Sequence, residues 1–231
     1  MRNLEIKREN EFKINNEEEA RKILFDRAQN IKIRILAMKY LRNNQADIIK
    51  IALTTDELEP IRGIAFWYIK DQAILEKIAL TEKDSFARKR ATSWVRNQEV
   101  LSKIALTDED PEVRANAVWN CNEQDTLIAV VLNDENWIVR LRATQKIKDQ
   151  EKLKSIALID ESNSVRRTAA NALTCNNVIY QLALVTTDYD VSKIVAAKLT
   201  DKEMLVEIAK KAKGWKARDF AKEKYETLCL K

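Results

Sequence analysis

The sequence predicts an all-α solenoid of about eight short helical hairpins. Three observations carry this: a repeat of 26 residues, helical spacing of apolar positions within each repeat, and a near absence of turn-forming residues. The repeat is marked by a small apolar residue followed by arginine. This pair falls at Ile61-Arg62, Ala87-Arg88, Val113-Arg114, Val139-Arg140 and Val165-Arg166, each 26 residues after the last. The register continues to Val191-Ser192 and Ala217-Arg218, and a slightly longer unit precedes it at Ile33-Arg34.

Within each unit a small residue stands four positions after the apolar member: Ala37, Ala65, Ala91, Ala117, Ala143, Ala169, Val195 and Ala221. Another apolar residue follows at position eight, as in Ile69, Val95, Cys121, Ile147, Leu173 and Leu199. Positions 0, 4 and 8 form one stripe on a helix of 3.6 residues per turn, and the alanines admit a neighbouring helix closely. A polar break follows (Asp71-Gln72, Asn97-Gln98, Glu123-Gln124, Asp149-Gln150), whose Asp and Asn residues are good helix N-caps. A second helix then carries Leu75, Ile78 and Ala79, echoed by Leu101, Ile104 and Ala105 and by Leu153, Ile156 and Ala157. Neither short helix can bury its apolar stripe alone, so successive units must stack and share a core.

Composition narrows the class further. Of 231 residues, 45% are apolar, enough for a sizeable core, and only two are glycine and two proline. Hairpins and β-meanders need those residues, so a β architecture is disfavoured. With no histidine at all, the usual triads and histidine-based zinc sites are excluded, and so few glycines leave no phosphate loop. No catalytic residue, metal ligand or cofactor is predicted. Cys121, Cys175 and Cys229 lie far apart without metal-ligand spacing, which fits a reducing cytoplasm. A charged amino-terminal stretch and the lack of a long apolar run lead to the expectation of a soluble cytoplasmic protein without membrane contact. The net charge of +5 on 41 basic and 36 acidic residues is small against the total. One domain is expected over residues 1–231, with an amino-terminal cap at 1–16, repeats over 17–216 and a capping helix at 217–231.

The arginine of each unit also stands six residues after an acidic one: Asp56 before Arg62, Glu82 before Arg88, Asp108 before Arg114, Asp134 before Arg140, Asp160 before Arg166. In the seventh unit both change, to Thr186 and Ser192. The expectation is an ion pair within each unit, with the acid also capping the helix that the arginine begins. The run Asp110-Pro111-Glu112-Val113-Arg114-Ala115-Asn116-Ala117 resembles the phycobilisome-lyase type of HEAT-like repeat. The 26-residue length and the Gln-x-x-Leu-x-x-Ile-Ala-Leu segments are also similar to the leucine-rich-repeat variant. The resemblance covers residues 17 to 228. It implies a right-handed superhelix in which the helix after the acidic loop lines the concave face, and it implies no particular function.

Residues that depart from the repeat at exposed positions are the candidates for function. With positions 0, 4 and 8 inward, position 6 points directly away from the core. It is occupied by Trp67, Ser93, Trp119, Gln145, Asn171, Ala197 and Glu223. Tyr68 and Trp94 stand beside it at position 7, and Lys89, Arg90, Arg142, Lys146 and Arg167 lie on the same helices. These nine residues, Trp67, Tyr68, Lys89, Arg90, Trp94, Trp119, Arg142, Lys146 and Arg167, form the candidate binding set. Aromatic anchors beside arginines compose binding hot spots, so the expected function is a non-enzymatic scaffold, adaptor or inhibitor with a protein partner. The alternative is nucleic-acid binding, for which basic grooves with stacking rings also serve. The alkylpurine DNA glycosylases share the HEAT-like architecture, although no motif here maps their catalytic aspartate. Trp137, Tyr189 and Trp215 share one loop position in different units and are expected to close the inter-repeat turn.

Overall fold

The computed structural model describes residues 13–230. Residues 1–12 and 231, and with them most of the expected amino-terminal cap, lie outside the described part. Sixteen helices occur among the described residues, and no strand does. In chain order they are α1 (Glu17–Phe25), α2 (Ile31–Tyr40), α3 (Gln45–Leu53), α4 (Glu59–Tyr68), α5 (Gln72–Thr81), α6 (Ser85–Thr92), α7 (Gln98–Thr107) and α8 (Pro111–Asn120). They continue with α9 (Gln124–Asn133), α10 (Trp137–Thr144), α11 (Gln150–Ile159), α12 (Asn163–Ala172), α13 (Asn176–Val185), α14 (Tyr189–Lys198), α15 (Lys202–Lys211) and α16 (Trp215–Cys229). The chain divides into two compact units, Met1–Val100 and Leu101–Lys231. None of the helices is long and apolar enough to cross a membrane.

Within each unit the arrangement is that of an α-solenoid. The even-numbered helices stack on one another, as α2, α4 and α6 do in the first unit and α8, α10, α12, α14 and α16 in the second. Odd-numbered helices α11, α13 and α15 stack likewise. The core follows the predicted stripe: Ile61, Ala65 and Ile69 are buried in α4 and its C-terminus, and Val165, Ala169 and Leu173 do the same in and after α12. All seven alanines at position four, and Val195 in the same place, are fully buried. The tight antiparallel pair differs in phase from the sequence unit. Helices joined by the acidic loop pack most closely, α3 on α4, α5 on α6, α9 on α10 and α11 on α12, whereas α4 and α5, joined by the Asp-Gln break, approach each other less.

The Asp-Gln break ends one helix and starts the next by two side chains with separate tasks. Asp71, Asp149 and Asp201 each accept two backbone N–H bonds of the first turn that follows, and Asn97 does so for α7. These are donors that a helix leaves unpaired. The adjacent glutamine reaches the next repeat. Gln45 donates to the carbonyl of Tyr68 and accepts from the amide of Lys70, Gln72 does the same at Trp94 and Arg96, and Gln124 at Lys146 and Lys148. Gln150 accepts from the amides of Thr174 and Cys175. A primary amide carries both a donor and an acceptor, so one side chain can serve a carbonyl and an N–H of the same turn.

The arginines perform the corresponding task at the opposite end of the helices, and here the expected pairing is corrected. Arg114 donates through Nη1 to the backbone carbonyls of Asp108 and Glu109, at 2.9 and 3.2 Å, not to the Asp108 carboxylate. Its remaining edge, Nε and Nη2, makes a two-pronged bond to Asp134 in the next repeat, at 2.7 and 2.9 Å. Arg140 repeats the pattern with the carbonyls of Asp134 and Glu135 and the carboxylate of Asp160. The helix caps are supplied three residues before the apolar member by Asp84, Asp110 and Asn136, and not by the acid of the expected pair. Arg114 and Arg140 therefore each tie their own loop to the following one.

The exceptions obey the same physics. Where Thr186 replaces the acid, Arg166 turns to Asp188, the cap of α14, through Nε and Nη2. Ser192 leaves no guanidinium to fill the next gap, and its hydroxyl bonds the Asp188 carbonyl. The following loop closes directly instead: the Lys213 amide donates to the Leu184 carbonyl at 2.9 Å, and Gly214 lies so near Thr186 that a Cβ would sit 2.4 Å from its carbonyl oxygen. In the first unit Arg34 pairs with Glu57, both nearly inaccessible, Arg62 with Asp84, and Arg27 with Asp56.

The Arg34 guanidinium holds the Glu57 carboxyl below its usual range, against the opposing effect of burial and with help from the Leu58 amide. A depressed carboxyl stabilises the fold above its ordinary value of 4.5, and that stabilisation disappears as the pH falls through the lower folded value. Urea unfolding between about pH 6 and 3 is expected to show stability falling below about pH 4.5, with a shallower fall in Glu57→Gln. Equal slopes for the two proteins would show that the pair does not set the acid limb.

Candidate binding surface

Position 6 of every repeat is exposed, as the helix geometry requires: Trp67, Ser93, Trp119, Gln145, Asn171, Ala197 and Glu223 all face solvent. Trp67 is 71% accessible and Trp119 64%. These values are far above what a large aromatic ring retains when it serves a core.

In the first unit four residues of α4, α6 and the turn after α6 assemble two rungs. Trp67 meets Trp94 edge to face, with ring centroids 6.3 Å apart at 76°. One helical turn earlier, Arg90 lies across Gly63, where a Cβ would come within 3.6 Å of the guanidinium. The Phe86 ring takes Arg90 at 5.2 Å and Arg62 at 4.6 Å, so the guanidinium of Arg90 lies near both a ring and the bare backbone at Gly63. Among the described residues no carboxylate forms an ion pair with this cation. Trp94 keeps 42% of its surface, and its backbone carbonyl is the acceptor for Gln72. Tyr68 is half-buried and Lys89 partly so.

Gly63 and Phe86 were not among the predicted residues. Gly63 carried a signal nonetheless: a glycine inside a helix costs roughly 0.5–1 kcal/mol against alanine and here has no positive φ to justify it. A Cβ there would meet the Arg90 guanidinium only at ordinary van der Waals distance, so nothing in the structure explains the glycine.

The predicted residues of the second unit serve mixed purposes. Trp119 stands free at the end of α8, but Lys146 turns back to the same helix end and donates to the carbonyls of Val118, Trp119 and Cys121. An ammonium there satisfies orphan carbonyls and complements the negative end of the helix dipole. Burial moves the Lys146 pKa below that of an ordinary lysine. Lys198 treats Asn171 and Leu173 in the same way, at 2.7 Å each. Arg142 is half-buried and Arg167 exposed, and neither forms an ion pair among the described residues. Trp137, Tyr189 and Trp215 are all exposed at the first position of α10, α14 and α16; Tyr189 packs edge to face on Phe220 at 5.5 Å, and Lys216 lies 4.0 Å over Trp215. No group of side chains suited to hold a metal ion occurs among the described residues.

These geometries separate structural from available side chains. Lys146→Met is expected to lower stability by about 1 kcal/mol, the cost of leaving part-buried carbonyls without this donor, whereas Trp67→Ala should change it by less than about 0.5 kcal/mol. Urea denaturation of the two variants decides this, and a reversed order would contradict the assignment.

No protein-family model matches the chain, and no curated protein does. Among solved structures it is similar to the X-ray structure of YibA from Escherichia coli, at 21% identity over 96% of each chain with a TM-score of 0.50. At that identity the likeness is one of fold, and it agrees with a helical repeat protein.

Proposed function

We propose that this chain is a HEAT-like, non-enzymatic binding protein of the cytoplasm, a scaffold, adaptor or inhibitor that grips a protein partner through exposed aromatic and basic side chains. The observation that carries this reading is the Trp67–Trp94 pair with Arg90 beside it. Two large rings and an oriented guanidinium are left in solvent, and the repeats on either side of Trp67 carry Lys39 and Ser93 at its position. Rigid aromatic and arginine anchors lose little entropy on contact and dominate binding energies. Trp119 offers a similar anchor in the second unit. The HEAT-like assignment draws on the 26-residue step and on an arginine that follows each acidic loop.

A protein partner is favoured over nucleic acid by the fate of the lysines. Lys146 and Lys198 spend their ammonium groups on helix carbonyls, so the basic row offers fewer free cations to a phosphate backbone than its composition suggests.

The test is affinity capture with mass spectrometry, run with and without nuclease, using the parent chain and a Trp67→Ala, Trp94→Ala variant. A near-stoichiometric protein that is retained after nuclease treatment and lost with the variant is the expected result. Duplex and single-stranded DNA binding in a salt series is expected to be weak and nearly flat. A steep decline of tight DNA binding with salt, or a partner indifferent to both tryptophans, would overturn the reading.

A further inference from the structure

A second surface in the unit Leu101–Lys231 has a different chemistry. The loops before α10 and α12 border two adjoining open hollows on the surface, of about 430 and 480 Å³. The first is walled by Leu132 and Ile159, the second by Trp137 and Asn163, and both are rimmed by Glu135 and Glu161. Ile159 is 71% exposed and Leu132 59%, and Trp137 is also open to solvent. Single exposed apolar residues are ordinary, but three on the walls of two adjoining hollows are of the kind that marks contact surfaces.

The charges around the hollows set the chemistry of an occupant. Asp134 is bound by Arg114 and Asp160 by Arg140, and Arg166 is matched by Asp188. Glu135 touches Arg114 only at 3.7 Å with its side chain 89% exposed, and Glu161 has no ion pair among the described residues. Four carboxylates thus face the two guanidiniums of Arg114 and Arg140, an excess of two negative charges on a chain whose net charge is +5. An apolar patch with unneutralised acids at its rim complements cationic side chains that flank an aliphatic one.

The repeat also sets a length. Glu135 and Glu161 occupy the same position in adjacent repeats, and stacked helices stand about 8–10 Å apart. A polyproline-II segment advances about 3.1 Å per residue with three residues per turn, so side chains three apart share a face about 9 Å from one another. We infer that this edge binds an extended basic segment of a partner protein, with Lys or Arg residues three apart on Glu135 and Glu161 and an aliphatic side chain between Leu132 and Ile159. The surface is independent of Trp67 and Trp94.

Fluorescence anisotropy of labelled synthetic peptides tests this. A Pro-rich peptide with two arginines three apart and a leucine between them is compared with one whose arginines are adjacent and one carrying glutamates instead. The three-apart peptide is expected to bind best and to weaken with salt. Glu135→Gln with Glu161→Gln should reduce its affinity by about tenfold or more, Ile159→Ser should weaken it independently of salt, and Trp67→Ala should leave it unchanged. These side chains are exposed, and circular dichroism melts of each variant are expected to match the parent. Failure of the three-apart peptide to bind, equal binding of all three peptides, or unchanged affinity in the double glutamine variant would overturn the inference.

Discussion

The stack depends on one side chain that bonds in two directions. An acidic loop between two short helices exposes carbonyl oxygens that the helices cannot satisfy, and burial of such groups without partners costs more than a formed hydrogen bond returns. Arg114 and Arg140 meet two of those carbonyls with one nitrogen and send the other edge of the guanidinium to an aspartate of the following loop. The planar fork is suited to this as an ammonium is not. Glutamines such as Gln124 do the equivalent at the far end of the helices, joining each turn to the next repeat. Apolar burial holds the helices together, and these two sets of polar bridges specify which repeat follows which and in what register.

The seventh repeat shows what happens when the bridge is withdrawn. Without an acid at Thr186, Arg166 takes the next available carboxylate, and without a guanidinium at Ser192 the backbones of two loops come together at Gly214 and Thr186. The polar requirement of the loop persists, and only the group that meets it changes. The same economy explains Lys146, which lies beyond the end of α10 and so points not where a continued helix would send it but back to the carbonyls of α8.

Much of this was legible in the sequence. Helical periodicity placed Ile61, Ala65 and Ile69 inward and Trp67 outward because one stripe of a helix repeats every three or four residues. The partner of each arginine was not legible, for an arithmetical reason. In a 26-residue array an acid six residues before one arginine is also twenty residues after the preceding one, and periodicity cannot separate the two. The glutamine bridges escaped notice because their partners are backbone groups, which leave no mark on the side-chain pattern. Trp94 and Lys146 were placed by extrapolating helices that in fact stop at Thr92 and Thr144. Which exposed residues bind, and what, is carried by departures from the repeat, for which one sequence contains no internal comparison.

Regular bridges leave the outward positions free to vary, and the two surfaces considered differ in charge because nothing structural restrains them. The order of the repeats depends on the direction of the arginine bridge. A pair of double-mutant cycles measures it directly: Arg140→Met with Asp160→Asn, and Arg140→Met with Asp134→Asn, both read by urea unfolding. Coupling of about 2 kcal/mol or more is expected across the repeats with Asp160, and much less with Asp134. The reverse order would contradict the account, because it would return the ion pair to within a single repeat.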